Sequence, residues 1–261
     1  MTVADSAVST VDVELGDAWS YGAGVLHGGW LLETLAAAAL ERTGHPHPLA
    51  VSAQFSSRAD IGTAQVEVER VREGRSVSSL RARLLQQGRA KVDVLLTAGT
   101  LPGRDVEPYR IDAAPPEMPE PDRCVANATA PGQPRNGITE QLDVRVDPAT
   151  GGFLRGEPGG GVEVRAWVRS ATGREPDPLL LLTVADALPP VTLELGLVGW
   201  VPTLELTVHL RAQPTPGWLR CVQRAAVLHG GFLDEECQVW DSAGRLVAQA
   251  RQLAAYREPT S

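Results

Sequence analysis

The chain has 261 residues, with 32 acidic against 24 basic side chains and a formal net charge of −8. That length admits one or two domains, each able to bury its own core, and that charge excludes a global basic surface for nucleic acid or an anionic membrane. Cys124, Cys221 and Cys237 have no metal spacing and are odd in number, so they read as reduced packing residues in a cytoplasmic protein, with no metal centre expected.

The opening MTVADSAVSTVDVELG has neither the basic start nor the apolar run of a secretory signal, and no apolar run elsewhere is long enough to span a membrane. Val11 to Leu15 alternates as a strand, and the turn-rich residues Gly16 to Gly24 lead into an apolar helix from Trp30 to Arg42, closed by Gly44 and Pro46. Being apolar nearly all round, this helix should be wrapped by other structure. Strands follow at Leu49 to Ser57, Ala64 to Arg72, Val77 to Gln86 and Ala90 to Ala98, with turns at Asp60 to Thr63, Glu73 to Arg75 and Gln87 to Arg89.

From Leu101 to Gly161 the composition shifts to Pro, Gly, Asp and Glu, with PPEMPEPD and GEPGGG as extremes. Such a stretch reads as a linker or crossover, although Leu142 to Asp147 alternates like a strand. Val162 to Arg169 is the next strand, and Pro178 to Leu188 a second apolar helix stopped by Pro189 and Pro190. Strands at Pro202 to Ala212, Trp218 to Leu228, Phe232 to Trp240 and Arg245 to Tyr256 complete the chain.

The order strand, helix, several strands thus occurs twice. Segments Val71 to Gly99 and Val227 to Arg257 each hold a hairpin, and the step from Gly74 to Gly88 equals that from Gly230 to Gly244. The expected fold class is α+β: two fused antiparallel sheets, each wrapped around a central helix, joined edge to edge so that two exposed edges disappear. This is the double-hotdog geometry, with units at residues 1–100 and 162–261 separated by the linker at 101–161.

Four places carry chemistry. His27, Gly28, Gly29 and Trp30 open the first helix, where unpaired N–H groups and side-chain-free backbone can receive an oxyanion or a substrate; a tight glycine turn is the plain alternative. The second VLHGG, at Val227 to Gly231, lies between strands and reads as turn chemistry, with His229 structural. Asp186 is the only charge in LLLLTVAD, and a carboxylate among apolar neighbours is costly unless hydrogen-bonded or used. Thr203 and Gln252 are its possible partners, since an Asp, a hydroxyl and an amide can together orient and deprotonate one water.

The segments around these residues resemble the acyl-CoA thioesterase II family of double-hotdog hydrolases, from about Leu15 to Ala98 and from Val162 to Tyr256. The resemblance implies that Asp186 from VAD, Thr203 from PTLELTVHLRA and Gln252 from GRLVAQARQLAAYR position the attacking water. It also matches Gly28 and Gly29 to the family's glycine step into the first helix, with His27 as an additional base or ligand-binding residue. The implied reaction splits an acyl thioester of CoA or of an acyl-carrier protein into acid and thiol, with no cofactor beyond the CoA that belongs to the substrate.

Arg58, Arg211 and Arg251 are the candidates for the CoA phosphates. No Gly-x-Ser-x-Gly elbow is present, which argues against an α/β-hydrolase. A hotdog hydratase or dehydratase, with His27 and Asp186 as an imitation of its dyad, is the second reading, and a non-catalytic acyl-thioester binder the third. A homodimer or higher oligomer stays open, because the fused chain already supplies the pairing that single hotdogs obtain by dimerising.

Overall fold

The structure, a computed structural model, describes residues 8–21, 24–108, 110–127 and 137–257. Residues 22–23 of the turn-rich stretch and 109 and 128–136 of the expected linker lie outside the described residues. The chain runs β1 (Ser9–Leu15), α1 (Gly28–Leu40), β2 (His47–Phe55), β3 (Gly62–Arg72), β4 (Ser78–Gln86) and β5 (Arg89–Gly99). It continues through β6 (Val125–Ala126), α2 (Gly137–Gln141), β7 (Leu142–Val146), β8 (Glu163–Ser170) and α3 (Leu180–Val184). The last four strands are β9 (Thr203–Leu210), β10 (Leu219–His229), β11 (Phe232–Trp240) and β12 (Leu246–Ala255).

All twelve strands form one antiparallel sheet in the order β1-β3-β4-β5-β2-β9-β12-β11-β10-β8-β7-β6. Read outward from the seam between β2 and β9, the sequence β2, β5, β4, β3, β1 mirrors β9, β12, β11, β10, β8. This is the double hotdog that the element order predicts. Helix α1 buries Leu31, Leu32, Leu35, Ala36 and Ala39 against β2 to β5, and each leucine so removed from water contributes about 1.5–3 kcal/mol. The second helix is shorter than the expected Pro178 to Leu188, because its backbone turns away after Val184, but all five residues of α3 are buried. The two helices pack against each other, α1 on α3.

The duplication is written in the bulges more firmly than in the glycines. Leu49 is skipped in the pairing of β2 with β5, as Leu204 is in the pairing of β9 with β12. Lys91 and Val247 are skipped in the two equivalent hairpins, and Val71 and Ala226 in β3 and β10. An inserted residue re-aims its strand and fixes register, so three shared bulges mark a shared plan. The equal glycine spacing has a less direct origin: the turn at 73–77 is longer than the one at Gly230–Gly231, and the turn at 87–88 is shorter than the one at 241–245. Gly88, Gly230 and Gly244 have φ of 70°, 61° and 75°, whereas Gly74 is not left-handed; it is small because a Cβ there would lie 2.5 Å from the Val77 carbonyl oxygen.

The proline-rich stretch has a fixed place. Pro119 accepts the indole N–H of Trp167 at 2.8 Å, Glu117 accepts from Arg165 at 2.9 Å, and Pro116 accepts from Arg220 at 3.3 Å, so this segment covers the outer face of β8 and β10. Further on, β7 pairs with β8 over the stretch whose alternation marked a strand. The region at 101–161 therefore extends the sheet as well as crossing between the halves.

Candidate active site

A cavity of about 670 Å³ opens where the start of α1 meets the end of α3, within the size range of small-molecule sites. Asp186, Thr203, Gln252, Gly28 and Arg58 all line it. One wall is apolar and comes from Leu26, Leu31, Ile138, Leu142 and Val144. Three of those five belong to α2 and β7.

Asp186 follows α3 and projects at the first turn of α1. Its Oδ2 accepts the Gly29 N–H at 2.7 Å, while Oδ1 has no hydrogen-bond partner among the described residues. The approach needs glycine twice over. A Cβ on Gly29 would lie 2.8 Å from both the Leu182 carbonyl oxygen and the Asp186 Cβ, and one on Gly28 would lie 2.9 Å from Asp186 Oδ2. Burial raises the Asp186 carboxyl above its usual range, with His27 and the Gly29 N–H pulling the other way. A carboxylate with one free oxygen and a raised pKa is a competent base at neutral pH.

His27 is entirely enclosed and holds the two helix ends together. Nδ1 accepts the Trp30 N–H at 3.0 Å, capping α1, so Nε2 carries the hydrogen and donates to the Asp186 carbonyl at 2.9 Å. Burial lowers its pKa, which keeps the ring neutral. With both nitrogens engaged, His27 is neither an additional base nor half of a hydratase-type dyad. Two expected oxyanion donors are corrected in the same way, since the Gly29 N–H serves Asp186 and the Trp30 N–H serves His27. Trp30 itself stacks on Trp19 and does not line the cavity. Gly28 lines the cavity, and its N–H has no partner among the described residues.

Thr203 opens β9 just before the bulge at Leu204, and Gln252 lies beside it on β12. The Thr203 hydroxyl donates to Gln252 Oε1 at 3.1 Å. The Gln252 Nε2 donates in turn to Glu235 Oε2 at 2.5 Å, and Glu235 Oε1 accepts the Val191 N–H at 2.8 Å. Glu235 is 2% exposed, and burial raises its carboxyl above the ordinary range, opposed by these donors and by Gln223.

The Acyl-CoA thioesterase N-terminal domain family matches residues 15–100, and the Acyl-CoA thioesterase C-terminal domain family matches residues 121–256. The chain belongs to the acyl-CoA thioesterase family. A candidate thioesterase II of Thermobifida fusca superposes with a TM-score of 0.86 at 33% identity, over 95% of this chain and 92% of that one. A hotdog-fold protein of unknown function from Alicyclobacillus acidocaldarius superposes at 0.84 with 22% identity, over 97% of each chain, and bears on the fold alone. An uncharacterized protein of Mycobacterium tuberculosis H37Rv is 34% identical over 92% of this chain and 89% of its own. Thioester hydrolysis is the chemistry that this membership supports.

The C-terminal match reaches back to residue 121, so β6, α2 and β7 of the stretch expected as a linker or crossover fall inside it. Of the three arginines expected to meet CoA, only Arg58 lines the cavity, paired with Asp60 at 3.2 Å beside Lys91. Arg251 points from the opposite face of β12, bound to Asp234, and Arg211 bonds Gln249 outside the cavity. Sequence reasoning missed Glu235, although Leu233, Glu235, Cys237 and Val239 alternate as an inward-facing set. It also missed Tyr21, which lines the cavity, meets Trp200 edge-on, and has its hydroxyl raised by burial and by the charge of Asp186.

No helix among the described residues is long and apolar enough to cross a membrane. The three cysteines are free and buried.

Proposed function

We propose that this thioesterase hydrolyses an acyl thioester of CoA or an acyl-carrier protein through a water activated by Asp186 and held by Thr203 and Gln252. The observation that carries the reading is that Asp186, with one carboxylate oxygen uncommitted, shares a cavity with a hydroxyl and an amide already hydrogen-bonded to each other. The water gives one proton to Asp186 as its oxygen attacks the thioester carbonyl carbon. The resulting oxyanion meets the Gly28 N–H at the positive end of α1. Collapse breaks the C–S bond, and the proton returns from Asp186 to the departing thiolate.

The apolar wall from α1, α2 and β7 suits the acyl chain, and the cationic pair of Arg58 and Lys91 suits the phosphates of CoA. The reaction so written needs no cofactor, CoA being part of the substrate. The buried free cysteines are in keeping with a cytoplasmic enzyme.

The test is thiol release, followed with a thiol reagent, over acyl-CoAs of graded chain length. Hydrolysis by the native chain and its loss in Asp186→Asn is the expected result. Saturable acyl-CoA binding without thiol release would replace the reading with that of a binding protein. Loss of the conjugated double bond of an enoyl-CoA, without free thiol, would replace it with a hydratase.

A further inference from the structure

We infer that Glu235 is a positioning residue: it fixes the Gln252 side chain with its oxygen toward Thr203, so that the polar edge of the site presents only acceptors to the water. The inference rests on the reading of Asp186, Thr203 and Gln252 given above. An amide can be turned either way, and its sense is set by its partners. Glu235 sits directly opposite Gln252 in the pairing of β11 with β12. Its two oxygens receive the Val191 N–H and the Gln252 Nε2–H, one each. The Val191 N–H already occupies Oε1, and when the carboxyl is ionised Oε2 can only accept, so the Gln252 NH₂ then faces it.

The consequence passes along the chain of bonds. Gln252 Oε1 is turned to Thr203, whose hydroxyl spends its single hydrogen there. What remains toward the cavity is the lone pairs of Thr203 Oγ1 and Gln252 Oε1. A water between this edge and Asp186 gives one hydrogen to the carboxylate and the other to Thr203 Oγ1 or Gln252 Oε1, which leaves its oxygen lone pairs for the carbonyl carbon. With Gln252 reversed, an N–H would face the water instead, remove an acceptor for its second hydrogen and draw on one of its two lone pairs.

A second observation separates this role from packing. Leu80 on β4 is paired with Leu96 on β5 at the place equivalent to Glu235 and Gln252, and both leucines are buried. The hotdog sheet closes without a carboxylate or an amide there. Burying Glu235 is costly, and the equivalent place in the N-terminal half holds no charge.

The test uses Glu235→Gln, Gln252→Glu and the double variant, all in the full chain. Glu235→Gln should lower kcat by roughly tenfold to a hundredfold, as outer groups that orient a reacting layer do, with KM changed little. The double variant exchanges amide and carboxylate, restores an acceptor toward Thr203, and should recover activity above either single change. Full kcat in Glu235→Gln, or a double variant no better than the worse single, overturns the inference. Nitrogen-15 spectra of the Gln252 side-chain amide give a readout independent of turnover: slow exchange in the native chain, lost in Glu235→Gln. Fast exchange in the native chain overturns the inference whatever the substrate, whereas unimpaired Asp186→Asn overturns only the hydrolytic reading beneath it.

Discussion

The two halves of the sheet differ most where they are most alike in backbone. Thr203 stands immediately before the bulge at Leu204, and Pro48 immediately before the bulge at Leu49. Gln252 follows Gly244 by the same step as Leu96 follows Gly88, and Glu235 opposes Gln252 as Leu80 opposes Leu96. One half holds a connected polar trio, with Glu235 buried and Thr203 and Gln252 at the cavity; the other fills the same places with apolar side chains. The helix crossing repeats the contrast. Asp186 keeps a free oxygen in the cavity, while Glu33 on α1 is saturated by Arg174 at 2.5 Å and by the Thr183 hydroxyl. Equivalent positions that tolerate leucine show that the polar set is not required by the sheet, as its proposed catalytic role expects.

The largest break in this comparison is loss of the base. Asp186→Asn should reduce thiol release by about 10²–10⁴, the usual worth of a positioned general base, with the circular-dichroism spectrum unchanged. Activity near the native level would remove Asp186 from the mechanism.

A pair of reciprocal changes tests the equivalence itself. Gln252→Leu makes that position of the C-terminal half resemble the N-terminal one and should cost about a hundredfold in kcat, with the sheet retained but roughly 1–3 kcal/mol of stability lost because Glu235 loses its amide donor. Leu96→Gln places an amide among apolar neighbours with no carboxylate to receive it. It should leave kcat unchanged and lower stability by roughly 2–5 kcal/mol, read by denaturant titration. If both changes damage activity equally, the halves do not divide their labour.

Gly29→Ala acts on the crossing between the halves. Its Cβ would meet the Leu182 carbonyl oxygen and the Asp186 Cβ at 2.8 Å, so α1 and α3 must separate. The expected loss is about 1–3 kcal/mol of stability, accompanied by a lower kcat because the N–H that holds Asp186 moves with the helix. A native melting temperature in this variant would show that the close approach is relaxed in solution.

Much of this arrangement is legible in the residues and part of it is not. Strand alternation, the Leu- and Ala-rich first helix, and a lone carboxylate in LLLLTVAD all report local physics, so the sheet and Asp186 can be read directly. Glu235 hides in an acidic run, DEE, where two of three residues are solvated and only the inward phase of the strand picks out the third. The stretch at 101–161 misleads because proline and glycine content describes flexibility in isolation. Trp167, Arg165 and Arg220 hold the proline-rich part by its carbonyls, and Ile138, Leu142 and Val144 reach the cavity from short elements with little periodicity. The role of His27 depends on both ring nitrogens finding partners, one of them in the other half of the chain, which no local pattern encodes.

The smallest effect concerns what the active carboxylate costs the fold. Burial raises the Asp186 carboxyl above its ordinary value of 3.8, so the folded chain retains the proton at pH values where the unfolded chain has released it. Stability contributed by this group is therefore full below the ordinary value and falls as pH rises through the raised one; above that, the ionised carboxylate is a standing cost. Asp186→Asn removes the charge while keeping an oxygen for the Gly29 N–H, so its melting temperature should exceed that of the native chain near neutral pH. The gain should shrink as pH falls and vanish below the ordinary aspartate range. Native activity should decline over the same interval, as the base becomes protonated. Glu33→Gln supplies the contrast from the other side of the crossing: it leaves the Arg174 guanidinium without its 2.5 Å partner on α1 and should lower the melting temperature. A neutral-pH gain in both variants, or in neither, would mean that the two carboxylates are not differently employed.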